Sequence, residues 1–239
     1  MKLAPEEFAS AAAAVAIHAA ELIRPGMRLG LGSGRMASAF IEALRPRIAS
    51  GLEVKGLCAS KASEAIARNV GIEILSASGG TLDLDLDGAD EFDAQLNLIK
   101  GGGGALLREK VVAQCSRRFW VLADSSKEVG QLGSTHALPV EVLPFDWEGT
   151  EARCRAQLSC RTERRRQPSG DPFVTDNGNF LLDLHFEEGP PDPHMVALRL
   201  VEIAGVLGHG LFLDLATAAL VFDQGKVRVL GQLDRERLP

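Results

Sequence analysis

The sequence has few cysteines, and no two of them stand at metal-binding or redox spacing. The four are Cys58, Cys115, Cys154 and Cys160, and none lies near a histidine in a zinc-ligand pattern. The five histidines are scattered one to an element: His18, His136, His185, His194 and His209. The sequence therefore indicates neither a disulfide framework nor a zinc site, and we expect no metal.

The chain also lacks an excess of positive charge and a long apolar run. Its 26 Lys and Arg stand against 32 Asp and Glu, a formal net charge of −6, which argues against a nucleic-acid partner. An anionic metabolite would then need local cations, and Arg35, Lys100 and Lys127 are the candidates. No run is long enough to span a membrane, and Glu6 and Glu7 interrupt the Ala-rich start, so it does not read as a signal peptide. We expect a cytoplasmic protein with no membrane partner.

The alternation of apolar patterns predicts an α/β fold of 239 residues. Strands are predicted at 27–31, 52–57, 72–75, 82–87 and 119–123, with helices at 5–23, 36–48, 63–69 and 105–114. This order favours a doubly wound, mostly parallel, Rossmann-like sheet. We assign it to residues 1–136 and 208–239, with the tail rejoining the sheet.

From residue 138 onward the rhythm changes to β-α-β-β-α. Strands are predicted at 140–145, 161–166 and 180–185, the last after a hairpin turn, with helices at 146–159 and 193–203. Asp146 is expected to cap the first of these helices. The order resembles a ferredoxin-like unit, so we predict that residues 137–207 form an inserted, smaller ferredoxin-like α+β domain. Within it, Arg164 to Arg166 read most simply as a solvated patch.

The chemistry concentrates in the segments DGADE (87–91) and LIKGGGGALLREK (98–110). Asp87 and Asp90 stand at the carboxyl end of a strand, where open α/β sheets bind ligands. Lys100 precedes a glycine run, and Glu109 follows on a helix. A carboxylate base beside an ammonium suits the transfer of a proton between neighbouring carbons of a sugar. The alternatives are a solvated helix face around Glu109 and an exposed, Asp-bearing edge strand.

A second glycine pattern, Gly30, Gly32 and Gly34, alternates across the turn at the end of the first predicted strand. It could signal dinucleotide binding, but the acidic residue expected after the next strand is missing, since Cys58 follows that strand. What remains is a loop of N–H groups suited to a phosphate.

These motifs resemble the signature of ribose-5-phosphate isomerase, type A. Further matches follow in the family's order at 30–34, 123–127, 132–133, 138–142, 175–179 and 210–212. The resemblance implies an enzyme, an intramolecular oxidoreductase of the pentose phosphate pathway. It would interconvert D-ribose 5-phosphate and D-ribulose 5-phosphate through an enediol. The family needs no metal or organic cofactor, and it implies a homodimer or a dimer of dimers.

The resemblance also assigns roles to particular residues. Glu109 matches the proton-transferring base, and Asp87 and Asp90 match acids that assist ring opening and proton movement. Lys100 matches the group that steadies the sugar oxygens. The positions matched to substrate binding are Ser33, Gly34, Arg35, Met36, Gly88, Ala89, Gly101, Gly102, Gly103 and Lys127.

The phosphate-side loop departs from the family pattern. Where the family has Gly-Thr-Gly-Ser-Thr, this chain has Gly-Ser-Gly-Arg-Met at 32–36. Arg35 is expected to compensate for the lost hydroxyl groups, because a guanidinium can bind phosphate oxygens in bidentate fashion; the alternative is that it points to solvent.

Two other functions stay open at this stage. A sugar-phosphate sensor on the same scaffold should lack the acids at 87, 90 and 109. A coenzyme A transferase would form a thioester on its catalytic glutamate.

Overall fold

The computed structural model describes residues 3–77 and 80–233. Within these ranges the helices are α1 (Pro5–Glu21), α2 (Gly34–Ala43), α3 (Arg45–Ala49), α4 (Lys61–Val70), α5 (Leu106–Gln114), α6 (Trp147–Leu158) and α7 (Pro193–Glu202), with a 3-10 turn at Ser125–Lys127. The strands are β1 (Arg28–Leu31), β2 (Lys55–Cys58), β3 (Glu73–Ile74), β4 (Leu84–Gly88), β5 (Glu91–Phe92), β6 (Leu98–Ile99), β7 (Phe119–Asp124), β8 (Leu138–Val142), β9 (Arg161–Arg164), β10 (Phe180–His185), β11 (Val206–His209), β12 (Leu211–Phe212), β13 (Ala218–Asp223) and β14 (Lys226–Gly231).

The chain divides into two compact units. The first comprises Met1–Ala89, Arg108–Glu128 and Leu215–Pro239, and the second comprises Asp90–Leu107 and Val129–Asp214. The second unit contains the predicted insertion, 137–207, and adds residues on both sides of it. The added residues belong to the second unit because β5, β6 and β12 pair into a small antiparallel sheet. Sequence periodicity does not indicate this pairing, because the three strands are only two residues long.

The first unit is built on a seven-stranded sheet with the order β14-β13-β7-β4-β1-β2-β3 among the described residues. Its strands are parallel except for β14, which pairs antiparallel with β13. The tail therefore rejoins this sheet, as predicted. Apolar side chains of α1, α2 and α4 pack with those of the strands into one buried core. The predicted doubly wound α/β class is confirmed.

The second unit contains a four-stranded antiparallel sheet with the order β11-β8-β10-β9. The chain order β8-α6-β9-β10-α7-β11 is the ferredoxin-like arrangement that was predicted. Alternate residues of the central strands, such as Val140 and Leu182, face a buried core shared with Cys154 of α6 and Leu200 of α7. On the opposite face of the sheet, the buried Glu141 of β8 accepts hydrogen bonds from Thr175, Asn177 and Asn179.

The structure corrects several local predictions. The helix predicted at 36–48 is two helices, because Pro46 at the start of α3 has no N–H to continue the hydrogen-bond ladder of α2. Asp146 does not cap α6 through its side chain: it has a left-handed backbone (φ 52°), and its carboxylate lies 3.4 Å from Arg153.

The arginine patch is also different from the prediction. The guanidinium of Arg164 stacks 4.1 Å from the ring centroid of Trp147, and Arg165 forms a largely buried ion pair with Asp183. Only Arg166, which donates to the carbonyl of Gly170 at an exposed site, fits a solvated patch.

Three features of the described part of the chain bear on its chemistry. No helix in 3–77 or 80–233 is long and apolar enough to cross a membrane. The same residues contain no group of three or more His, Cys, Asp or Glu side chains placed to hold a metal ion. All four cysteines are free thiols.

Candidate active site

The aspartates of β4 are buried in the middle of the first unit's sheet. Asp85 and Asp87 are each 1% exposed, although charged side chains are rarely buried so fully. Glycines in and just after the neighbouring strand β1 leave space for these two carboxylates. A Cβ on Gly30 would lie 2.6 Å from Asp85 Oδ1, and a Cβ on Gly32 would overlap the Asp87 carboxyl group. The alternating pattern is therefore not an exposed edge, and the two glycines are required by two carboxylates.

Ser33 joins two of the predicted catalytic carboxylates. Its N–H donates to Asp87 Oδ1 (2.9 Å), and the Gly88 N–H donates to the same oxygen (2.7 Å). Its hydroxyl donates a short hydrogen bond to Glu109 Oε1. Asp87 is the last residue but one of β4, and Glu109 lies in the first turn of α5. In the first unit, a strand end, a glycine loop and a helix start therefore meet at one serine.

Glu109 is 4% exposed, and so it does not belong to a solvated helix face. The next residue, Lys110, is half-buried. Burial lowers the pKa of the Lys110 ammonium to about 7, because removing a cation from water favours its neutral form. The start of α5 is thus shielded from water.

In the second unit, Asp90 accepts a hydrogen bond from the backbone N–H of Gly102 (2.6 Å). A Cβ on Gly102 would lie 2.6 Å from Asp90 Oδ1, so the close approach requires glycine at this position. Lys100 is only 3% exposed, and its Nζ lies 5.5 Å from the ring centroid of Phe212. The predicted lysine is therefore largely shielded from water.

The glycine run combines fixed and open positions. Gly101 has a φ of +105° and Gly104 a φ of +86°, where a side chain would be strained. Gly103 is exposed, with open space where a Cβ would be. The backbone of this loop is held at its ends, and its middle faces solvent.

Glu91 anchors the chain directly after Asp90. Its carboxylate, 0% exposed, accepts from the N–H groups of Gly133, Thr135 and His136 and from the Thr135 hydroxyl. Burial acts to raise the pKa of Glu91, but hydrogen bonds from His136, Thr135 and Gly133 outweigh it and lower the pKa to about 2. The residue is therefore a fixed anion that ties β5 to the loop before β8.

The residues of the predicted phosphate-side loop are placed differently from one another. Met36 is buried in the first unit's core, while Gly34 and Arg35 are exposed at the start of α2. The Arg35 guanidinium lies over Phe8 of α1, 3.8 Å from the ring centroid. Lys127 is half-buried at the end of the 3-10 turn after β7.

Comparison with known proteins identifies the same family as the sequence motifs do. The family model of ribose 5-phosphate isomerase A (phosphoriboisomerase A) matches residues 55–226. A ribose-5-phosphate isomerase A of Ruegeria sp. (strain TM1040) is 43% identical over 232 residues, covering 92% of this chain and 88% of the relative. The chain belongs to the ribose-5-phosphate isomerase A family.

Solved members of the family share the fold. The ribose 5-phosphate isomerase of Plasmodium falciparum superposes with a TM-score of 0.89 at 33% identity, covering 94% of this chain and 99% of that one. A D-ribose-5-phosphate isomerase solved in complex with phospho-erythronic acid has a TM-score of 0.89 at 32% identity, with the same coverage. The chain is thus an isomerase of the sugar-phosphate class.

Sequence reasoning missed two residues that hold this family's signature segments in place. Glu91 was noted only as a member of DGADE, and its buried acceptor role depends on a loop 42 to 45 residues away. Arg165 was assigned to a solvated patch, but it binds the glycine loop from 64 residues away. The sequence offers one signal for Glu91, its position directly after a predicted catalytic acid.

Proposed function

We propose that this protein interconverts D-ribose 5-phosphate and D-ribulose 5-phosphate through a cis-enediolate, with Glu109 as the general base. The observation that carries the proposal is the buried Glu109 carboxylate hydrogen-bonded to Ser33, whose N–H binds Asp87 in turn. Family membership supplies the substrate class. The arrangement provides a base held in a protected site, as proton abstraction next to a carbonyl requires.

The reaction moves two hydrogens and changes no oxidation state overall. In the open-chain aldose, Glu109 takes the proton from C2, and the electron pair left on C2 forms the C1–C2 double bond as the C1 carbonyl oxygen becomes negative. The protonated Glu109 then returns the proton to C1. The C2 hydroxyl loses its proton and becomes the ketone, and a proton is delivered in exchange to the negative C1 oxygen, which becomes a hydroxyl group. Lys100 stabilises the enediolate oxygen, because a buried ammonium interacts strongly with a developing negative charge.

Asp87 and Asp90 are proposed to open the cyclic sugar and to move protons between its oxygens. The two backbone N–H groups on Asp87 Oδ1 fix the direction of that carboxylate, and the Gly102 N–H does the same for Asp90. Fixed orientation matters because proton transfer needs the two heavy atoms at hydrogen-bond distance. The glycines at 88 and 101–103, together with Ala89, are proposed to contact the sugar through backbone groups.

The phosphate is proposed to bind at the loop from Ser33 to Met36, with Lys127 as a further substrate contact. Arg35 and Lys127 are the cations proposed to contact the phosphate and the sugar, and the Met36 side chain contributes packing rather than a polar group because it is buried. A homodimer or dimer of dimers and a cytoplasmic location remain predictions.

The first experiment is a direct assay. Purified protein is incubated with D-ribose 5-phosphate in the presence of a chelator, and formation of the ketose is followed. Ketose formation supports the isomerase. Binding without turnover would support a sugar-phosphate sensor, and thioester formation with an acyl-coenzyme A would support a transferase.

The second experiment tests the base. Glu109→Gln is expected to lower kcat on the order of hundreds-fold or more, because the amide cannot accept the C2 proton. Binding of phospho-erythronic acid, measured by calorimetry, should persist, since its carboxylate resembles the enediolate and its phosphate resembles that of the substrate. Glu64→Gln, at an exposed ion pair on α4, is the matched control and should keep parental kcat. Retained turnover in Glu109→Gln would remove Glu109 from this role.

A further inference from the structure

Arg165 makes two kinds of contact within the second unit. Its Nε donates to Asp183 Oδ2 (2.9 Å) and its Nη2 donates a short bond to Asp183 Oδ1. Its Nη1 donates to the carbonyl oxygens of Gly101 (2.7 Å) and Gly102 (3.0 Å). One guanidinium thus links a carboxylate of β10 to the backbone of the glycine loop.

Gly102 is bound at both of its backbone groups. Its carbonyl accepts from Arg165, and its N–H donates to Asp90. A continuous path of hydrogen bonds therefore runs from Asp183 through Arg165 and Gly102 to Asp90. Asp90, Gly102, Arg165 and Asp183 also line one cleft of about 380 Å³.

The three consecutive arginines have different surroundings, as expected of a strand and its continuation, where successive side chains point to opposite faces. Arg164 stacks on Trp147 of α6. Arg165 lies on the other side and is well shielded, its side chain 16% exposed and that of Asp183 19% exposed. Arg166 bonds only a nearby carbonyl in its exposed loop. Among these three, Arg165 is the one whose described contacts reach the glycine loop.

We propose that Arg165, oriented by Asp183, is a positioning residue for the isomerisation: it fixes the carbonyls of Gly101 and Gly102, and thereby the N–H that orients Asp90. The inference rests on the proposed function, because it assumes that Asp90 serves the reaction. A planar guanidinium can satisfy a carboxylate fork and two carbonyls at once, whereas a lysine ammonium cannot reproduce that geometry. Shortening or removing the group should therefore disorder the loop without removing any group that touches substrate.

The test compares Arg165→Met, Arg165→Lys and Asp183→Asn with the control Arg161→Met. Arg161 lies on the adjoining strand β9 with its side chain 64% exposed. The first readout is hydrogen exchange of peptides covering 100–107. Faster exchange is expected in all three test variants, and exchange as in the control would overturn the proposal. Arg165→Lys, which keeps the charge, serves as the second variant if Arg165→Met fails to fold.

The second readout is kinetic. In Arg165→Met, kcat is expected to fall about 30-fold with KM changed less than about threefold, since misplacement affects the transition state more than uniform binding. Arg165→Lys should recover part of the loss. A folded Arg165→Met with kcat within about twofold of Arg161→Met would overturn the proposal and leave the isomerase assignment intact. If the parent itself has no turnover, the proposed function fails, and the exchange comparison alone decides whether Arg165 holds the loop.

Discussion

The two glycine-rich loops of this protein solve the same packing problem in two ways. In the first unit, Gly32 approaches Asp87, and Asp87 accepts the N–H of Ser33. In the second unit, Gly102 approaches Asp90 and donates its own N–H to it. In both places a carboxylate occupies the space that a Cβ would need, so each loop and its acid are fixed together.

The loops differ in what surrounds the carboxylate. Asp87 is 1% exposed on a central strand of a parallel sheet, and so the first loop is held by the core itself. Asp90 is half-exposed, and the second loop is held by polar contacts from Arg165. Substitutions in the first loop should therefore destabilise the protein by disturbing the packing of the core. Substitutions around the second loop should act by removing specific hydrogen bonds.

The largest effect is expected for Gly32→Ala. The added Cβ overlaps the Asp87 side chain, which cannot withdraw because it is buried on β4. Overpacking at a site this rigid should destabilise the protein by roughly 4 kcal/mol and abolish measurable turnover. Thermal unfolding followed by circular dichroism measures the stability, and Gly130→Ala, where a Cβ meets open space, is the control. A melting temperature equal to that of the control would show that the first loop is not limited by packing.

The next effect concerns the anchor beside the second loop. The Glu91 pKa is lowered to about 2 from 4.5, so the carboxylate stabilises the fold fully above pH 4.5, and this contribution is lost as the pH falls towards 2. Glu91→Gln should cost about 3 kcal/mol at pH 7. The difference from the parent should shrink as the pH falls from 4.5 towards 2.

Urea unfolding at a series of pH values checks this expectation. Glu163→Gln, at a side chain 64% exposed, should follow the parent at every pH. A stability gap between Glu91→Gln and the parent that stays constant down to the lowest pH would show that Glu91 is not held as an anion.

Gly102→Ala tests whether the second loop tolerates an added Cβ better than the first loop does. Gly103→Ala is the matched control for stability. The Cβ at 102 would lie 2.6 Å from Asp90, whereas the Cβ at 103 meets open space. Because Asp90 is half-exposed and can move, Gly102→Ala should cost only about 2 kcal/mol of stability and lower kcat about tenfold. Gly103→Ala should melt as the parent does. Equal melting temperatures for the two variants would contradict the steric reading of the second loop.

The sequence alone was sufficient to predict the features that depend on residues close together in the chain. Period-two alternation located β4, and the glycines after β1 marked a turn that needs close approach. The acids at 87 and 109 were then singled out by their position at a strand end and a helix start. For residues close in the chain, the spacing of residue types indicates directly which secondary structure forms and where the side chains lie.

The parts that could not be predicted depend on contacts between distant residues. Nothing near Arg165 indicates that it binds a carbonyl 64 residues earlier, and a run of three arginines is most simply a solvated patch. Glu91 is similar, because a buried carboxylate and an exposed one look alike in sequence until their donors are known. The Asp146 cap failed for a local reason: the residue has a left-handed backbone, and its carboxylate lies 3.4 Å from Arg153 instead of accepting a hydrogen bond from an N–H of the helix.

The smallest effect is expected at the edge of the first loop, for Arg35→Ala. If the guanidinium binds the phosphate while stacked on Phe8, its loss removes binding that is equal in the ground and transition states. KM should then rise about tenfold with kcat within about twofold of the parent. Phe8→Leu should raise KM in the same direction but less, because the stacked ring orients the guanidinium. Arg68→Ala, at an exposed ion pair on the surface of α4, is the control. An unchanged KM in Arg35→Ala would mean that the stacking serves α1 and α2 alone, and that the first loop binds phosphate without this arginine.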